Sequence, residues 1–143
     1  MPSVSSISRN AFLDYVGHYH ADPRLSNSAA TEAYVEWAEN LVKGSCNDNP
    51  VWIAVSGEHI VGFLALKKNS QDEDEIILNA VEPEKQGRGV YAALLNNAIC
   101  QSASRRRHRI IIATQINNYR VQRVWAKYGF LVERGFYTFQ KWF

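Results

Sequence analysis

Apolar residues recur with a helical period early in the chain and cluster into short runs in its middle. Residues from about 9 to 19 and from about 28 to 43 place apolar side chains three or four positions apart, which predicts two helices. The runs 51–55 and 60–66 are apolar and are separated by four turn-forming residues. This spacing predicts a β-hairpin after the two helices.

Six further elements follow, in the order strand, helix, strand, helix, strand, strand. They are predicted at residues 76–81, 89–103, 110–113, 118–128, 130–133 and 136–142. The acidic run 71–75 predicts a turn before the first of them, and the wholly apolar run 110–113 is typical of a strand buried on both faces. The order predicts an α/β fold with a mixed central sheet flanked by helices, in a single domain of residues 1–143.

Composition and charge restrict the function classes. The chain has 143 residues, of which 46% are hydrophobic, and no apolar run approaches the roughly 20 residues that span a bilayer. The first residues lack the pattern of a secretion signal, so we expect a cytoplasmic protein. A net charge of +2 is too small to indicate nucleic acid binding.

Two local clusters remain to be interpreted. The basic run from Arg105 to Arg109 favours a solvated helix end, with a phosphate contact as the alternative. Cys46 and Cys100 form no metal-binding spacing, and we expect reduced thiols and no metal.

A glycine-bearing turn joins the predicted strand 76–81 to the next helix. It reads Gln86-Gly87-Arg88-Gly89-Val90-Tyr91. Gly87 and Gly89 tolerate backbone angles that other residues avoid, so successive amide N–H groups can converge on an anion at the helix N-terminus. The spacing matches neither a nucleotide triphosphatase loop nor the three-glycine dinucleotide pattern. The turn therefore predicts a phosphate-binding site.

This pattern, Gln86-x-x-Gly89-x-Tyr91 after an apolar strand, resembles the acyl-CoA signature of the GNAT superfamily of N-acetyltransferases. Tyr91 stands where that family usually has Gly or Ala. The resemblance implies acetyl-CoA as co-substrate, with its pyrophosphate on the turn amides and its pantetheine along the strand. The implied coenzyme contacts in this part of the chain are Asn79, Val81, Gln86, Gly87, Arg88, Gly89, Val90 and Tyr91.

The element order also resembles that of the family, with one difference. Family members usually have a strand before the first helix, and only Val4 to Ile7 is available for it here. The first strand is therefore expected to be short or missing.

The segment from Asn118 to Phe130 resembles a second family pattern, Asn-x-x-Ala-x-x-Leu-Tyr-x-x-x-Gly-Phe. Trp125 stands where the family typically has a tyrosine that protonates the departing thiolate. An indole cannot serve as that acid, so we expect Trp125 to pack against the pantetheine or the core. The resemblance implies that Asn118 hydrogen-bonds near the pantetheine, and Asn118 can also cap the helix.

The acid and the base of the implied transfer stay open. The acid candidates are tyrosines, Tyr119 first, with Tyr128 and Tyr91 as alternatives, although a thiolate can leave with weak assistance. The base must accept a proton from the amine, which suits a carboxylate or an imidazole. The base candidates are Glu82 and His20, with Glu75 and His18 as alternatives.

The loop His18-Tyr19-His20-Ala21-Asp22-Pro23-Arg24 and the helix after it resemble a subgroup that N-acylates nucleotide-linked amino sugars, such as the dTDP-fucosamine acetyltransferases. The resemblance implies that His18, His20, Asp22 and Arg24 bind the acceptor. Aromatic rings can stack on a sugar or base, and Asp22 with Arg24 can bind hydroxyls and phosphate. The alternative is a structural turn in which Arg24 is the partner of Asp22.

The expected partner is a small-molecule amine, in the first instance that of a sugar nucleotide, with no nucleic acid and no membrane. The alternatives are the amine of an amino acid, peptide or polyamine, and an acyl-CoA-binding module without catalysis. A homodimer is an open possibility.

Overall fold

The computed structural model describes residues 3–13, 15, 17, 19–20, 22–139, 141 and 143. Two units are distinguished by their internal contacts, a larger unit, Met1–Ala113, and a smaller unit, Thr114–Phe143. His18, one of the predicted acceptor contacts, lies outside the described residues.

The larger unit contains a four-stranded sheet with helices on its faces. In chain order its elements are α1 (Val4–Phe12), α2 (Asn27–Lys43), β1 (Val51–Ser56), β2 (His59–Lys68), β3 (Glu73–Val81), a 3₁₀ turn (Pro83–Lys85), α3 (Val90–Ser104) and β4 (Arg109–Ile112). The strands lie in the order β1-β2-β3-β4, antiparallel except for the parallel pair β3 and β4. The predicted α/β class with a mixed sheet is confirmed. In the described ranges, no helix is both long and apolar enough to cross a membrane.

The first helix begins earlier than its apolar period predicts. The side chain of Ser3 accepts the N–H of Ser6 at 3.2 Å, and Ser6 Oγ accepts the N–H of Ser3 at 3.0 Å. This capping box stabilises a helix start directly after Ser3. The segment available for a first strand is therefore helical, and the prediction of a helix over residues 9–19 is wrong at both ends, since α1 ends at Phe12.

Helices α1 and α2 pack on one face of the sheet around Tyr34. The Tyr34 ring stacks on Phe12 with 4.5 Å between centroids, and Tyr15 and Tyr19 meet it edge-on at 5.8 and 5.3 Å. Such aromatic contacts add to the burial of apolar area. The buried cluster consists of Val4, Ile7, Phe12, Tyr34, Ala38, Phe63, Ala65, Leu78 and Ala80.

Strand β3 changes the face that it buries at Ile77. Ile76 and Leu78 pair with adjacent residues of β2, so Ile77 is the extra residue of a β-bulge. Before the bulge, Asp74 accepts a hydrogen bond from Ser102 of α3, whereas after it Leu78 belongs to the core under α1 and α2. Because of the bulge, the buried side chains of β3 lie on the α3 side of the sheet before Ile77 and on the α1 and α2 side after it.

The acidic and basic runs of the sequence meet at the start of β3. Asp74 is fully buried, and Arg107 Nε donates to its Oδ1 at 3.0 Å while Ser102 Oγ donates to its Oδ2 at 2.8 Å. The Arg109 Nε donates to Glu73 at 2.6 Å. The predicted acidic turn is wrong from Glu73 onward, because these residues begin β3.

The basic run also differs from its prediction. The Arg107 side chain is 7% exposed, so it is not part of a solvated helix end. Arg107 compensates the buried charge of Asp74, since an unpaired carboxylate in the core is strongly unfavourable. Arg105 donates to the carbonyl oxygen of Asn47 in the loop before β1.

Two predictions about later strands are also wrong. Residues 110–112 of β4 are half-buried and not buried on both faces, and β4 is the last strand of the sheet among the described residues. Residues 130–139 form no strand, and residues 140 and 142 lie outside the described residues. Alternating apolar and polar residues suit the two faces of a strand. A strand also requires a neighbouring strand that accepts and donates its backbone hydrogen bonds.

The smaller unit contains the predicted helix, α4 (Tyr119–Lys127). Gly129 follows it with φ of 81°, in the left-handed region that ends helices.

We expect Arg107→Ala to lower the free energy of unfolding by about 3–5 kcal/mol, because it leaves the Asp74 carboxylate buried without its cation. The control is Arg9→Ala, which removes an exposed ion pair with Glu32 (2.8 Å) and should change stability little. Urea unfolding measures both variants. Equal losses in the two would contradict the structural role of Asp74 and Arg107.

Candidate active site

One edge of β3 is open along its second half. Strand β2 pairs with β3 up to Val81, whereas β4 pairs with it only from Glu73 to Ile76. From residue 77 to residue 81, no strand in the described residues covers this second edge. An unpaired strand edge offers N–H and C=O groups to any extended ligand that can lie along it. The predicted contacts Asn79 and Val81 lie in this open stretch.

The glycine turn follows this open edge after the 3₁₀ turn Pro83–Lys85 and begins α3. Gly87 and Gly89 have φ of 75° and 84°, both in the left-handed region, and Gly89 is the N-terminal cap of α3. Residues 86–89 are exposed. Within the described part of the chain, nothing accepts a hydrogen bond from the backbone amides of residues 87–90. Such a group of amides at a helix start favours an anion.

Gln86 fixes the shape of the turn. Its backbone N–H donates to Pro83 at 3.2 Å, and its side-chain Nε2 donates to the carbonyl oxygen of Val81 at 3.1 Å. The side chain thereby ties the turn back to the end of β3.

Gly62 of β2 allows α3 to start close to the sheet. A Cβ atom at this position would lie 3.0 Å from the carbonyl oxygen of Ala80, 3.2 Å from Val81 Cγ2 and 3.3 Å from Val90 Cγ1. Contacts this short would push the strand end and the helix start apart. A residue without a side chain therefore holds the turn next to the open edge of β3.

Two other predicted residues flank this region. Glu82 follows β3 directly, its side chain is half-buried, and its N–H donates to Val61 at 2.9 Å. Tyr91 lies half-buried in the first turn of α3. The described residues contain no group of three or more His, Cys, Asp and Glu side chains that could hold a metal ion.

His20 is held in one orientation among aromatic rings. Its Nδ1 accepts the N–H of Gly17 at 3.2 Å, and its ring stacks on Tyr34 with 6.1 Å between centroids. A neutral imidazole that accepts at Nδ1 carries its proton on Nε2. The Nε2 atom is buried and has no hydrogen-bond partner among the described residues. Burial, with Tyr15 and Tyr19 nearby, raises the pKa of Tyr34 well above its usual range.

Asp22 and Arg24 form a structural turn, which the sequence analysis gave as the alternative to acceptor binding. The Oδ1 atom of Asp22 accepts the backbone N–H of Arg24 at 3.0 Å, as in an Asx turn. Arg24 itself is exposed. This contact uses the backbone of Arg24 and not its guanidinium.

In the smaller unit, the predicted contacts lie on or next to α4. Asn118 precedes the helix, but its Nδ2 donates to Thr114 Oγ1 at 3.0 Å, and it makes no side-chain cap. Trp125 is half-buried, with its ring 6.5 Å from that of Phe130. Tyr119 is 65% exposed.

The family resemblance implied a strand edge available to the pantetheine, but sequence reasoning gave no structural cause for an open edge. The relevant signal was a difference in length, since the apolar run of β4 is too short to pair with all of β3. The bulge at Ile77 and the close approach at Gly62 left no recognisable pattern in the sequence.

The chain matches the sequence profile of the Acetyltransferase (GNAT) family over residues 14–130. The chain belongs to the GNAT family. The resemblance carried by the glycine turn is thereby confirmed.

A curated relative of this chain is the spore coat polysaccharide biosynthesis protein SpsD of Bacillus subtilis, strain 168. It is 30% identical over 142 residues, which are 98% of this chain and 47% of that protein. The chain thus spans about half the length of this relative.

Solved structures share the fold of this GNAT chain. A GNAT family acetyltransferase from Elizabethkingia anophelis with acetyl-CoA bound matches with a TM-score of 0.60 and 21% identity, over 67% of this chain and 63% of that one. A transcriptional regulator from Bacillus halodurans C-125 matches with a TM-score of 0.68 and 19% identity, over 96% and 93% of the two chains. At these identities the likeness establishes the fold.

Proposed function

We propose that this GNAT chain transfers an acetyl group from acetyl-CoA to a primary amine. The observation that carries the proposal is the open edge of β3, followed after one 3₁₀ turn by the backbone amides of residues 87–90, which have no acceptor among the described residues. An extended chain that ends in a diphosphate fits this arrangement, and coenzyme A is such a molecule. Family membership supports the same assignment.

The coenzyme would be held mainly by backbone groups. The amides of Gly87, Arg88, Gly89 and Val90 bind the pyrophosphate, and the exposed Arg88 side chain adds positive charge beside it. The edge around Asn79 and Val81 pairs with the amides of the pantetheine, as an added strand would. Three further residues, Tyr119, Asn118 and Trp125, stay predictions from the sequence.

The transfer itself is a direct displacement. The nitrogen of a neutral amine attacks the thioester carbonyl carbon, a C–N bond forms, and the C–S bond breaks with the electron pair leaving on sulfur. The amine loses one proton to a base, and we propose Glu82, the residue after β3, for this role. His20 is a less suitable base, because its Nδ1 already accepts the N–H of Gly17 and its Nε2 is buried.

The acceptor we propose is the amine of a nucleotide-linked amino sugar. The loop with His20, Asp22 and Arg24 carries this proposal, because its exposed guanidinium suits a phosphate and its rings suit a sugar. The name of SpsD, a spore coat polysaccharide biosynthesis protein, is consistent with a sugar acceptor. Coenzyme A release across a panel of amines tests transfer itself, and no release with any amine would leave only acyl-CoA binding.

Gly89→Ala tests the turn, with Gly57→Ala as its matched control. Both glycines have positive φ and open space around the missing Cβ, so both variants should lose roughly 1–2 kcal/mol of stability. Only Gly89→Ala should weaken acetyl-CoA binding, by about tenfold, because it misaligns amides that bind a charged group. Calorimetric titration measures the affinity, and unchanged binding in folded Gly89→Ala would refute the turn assignment.

Arg24→Ala tests the acceptor. We expect it to raise the KM for a sugar nucleotide amine and leave acetyl-CoA affinity unchanged, because it removes a contact to one substrate only. The control is Lys43→Ala, which removes an exposed cation from the opposite end of α2. If Arg24→Ala impairs both substrates and stability alike, Arg24 is a structural residue.

A further inference from the structure

A cleft of about 180 Å³ lies beside the bulge of β3, on the face that α2 covers. Its walls come from four elements of the larger unit. Most of the lining is apolar, and the side chains that matter here are Leu41, Val51, Ala65, Leu66 and Ile77.

The cleft meets the open edge of β3 at one residue, and from there it extends over β2 to β1. Ile76 is the last residue of β3 that pairs with β4, and Ile77 is both the first residue of the open edge and part of the cleft wall. The glycine turn follows the other end of this edge. Five extended residues span roughly 16 Å, so a ligand anchored by its phosphates at the turn extends along the edge toward Ile77.

The lining selects the kind of group that can enter. Lys67 contributes a positive charge, and no carboxylate lines the cleft, so an ammonium group would meet repulsion without compensation. The Asn49 side-chain oxygen already accepts the backbone N–H of Lys68 at 3.0 Å. An uncharged hydrocarbon chain is the group that fits these walls.

We propose that this cleft receives the acyl chain of the acyl-CoA substrate and that the protein accepts chains longer than acetyl. The inference rests on the proposed function, because it requires the coenzyme to lie along the open edge. An apolar cavity of about 150 Å³ holds a six-carbon ring, so a cleft of this size accommodates acyl chains of about four to six carbons. The reaction is unchanged, and only the transferred group is longer.

The test is a calorimetric titration with free coenzyme A, acetyl-CoA, butyryl-CoA and hexanoyl-CoA. Burial of each additional methylene should tighten binding about fourfold, so hexanoyl-CoA should bind at least tenfold more tightly than acetyl-CoA. Equal affinities for the three acyl-CoAs would overturn the inference and leave the proposed function standing. No binding of coenzyme A by the unmodified protein would overturn both.

Substitutions at two neighbouring residues of α2 test whether the acyl chain lies in the cleft. Leu41→Phe fills the cleft and should abolish the advantage of hexanoyl-CoA, whereas Val42→Phe, at a residue that is 41% exposed and outside the lining, should keep it. Free coenzyme A should bind both variants as it binds the original protein, which also shows that they are folded. Leu41→Ala enlarges the cleft and should shift the preference to longer chains. If Leu41→Phe still binds hexanoyl-CoA more tightly than acetyl-CoA, the acyl chain does not lie in this cleft.

Discussion

The pairing between β3 and β4 stops after four residues, and the candidate site depends on this limit. The start of β4 is fastened to the start of β3 by the buried Asp74 and Arg107 and by two backbone hydrogen bonds to the carbonyl oxygen of Asp72. Directly after the paired stretch lies the bulge at Ile77, and beyond it the buried side chains of β3 point to the other face of the sheet. One end of the pair is therefore held together while the rest of β3 has an unpaired edge.

The glycine turn suits the proposed coenzyme because it follows the end of this open edge. Gly62 lets α3 begin against the sheet, and the Gln86 side chain holds the turn to the last residue of β3. Open backbone groups along the strand and exposed amides at the helix start thus form one continuous surface. It suits a ligand with an amide-containing arm and a diphosphate, and the cleft at Ile77 extends it for an acyl chain.

The sequence predicted those features that depend on local geometry. The left-handed glycines of the turn, the hairpin of β1 and β2, and Gly129 after α4 all follow from residues close together in the chain. The pair Asp74 and Arg107 was missed because its two halves are 33 positions apart, and each run read alone is typical of a solvated segment. The closing strands were wrong because an alternating pattern does not reveal whether the backbone has a partner.

Within the candidate site, the sequence predicted the backbone conformation of the glycine turn better than the orientation of His20. A phosphate-binding turn needs particular backbone angles, which glycine signals directly. The orientation of His20 depends instead on Gly17 and on Tyr34 of another element, so no short pattern records it.

The most direct test of the account is an amide NMR titration with acetyl-CoA. The account predicts the largest chemical shift changes at the amides of residues 77–81 and 87–90, with little change along β1. Changes that spare both segments, in a protein that binds acetyl-CoA, would contradict the assignment of the open edge and the turn as the coenzyme site.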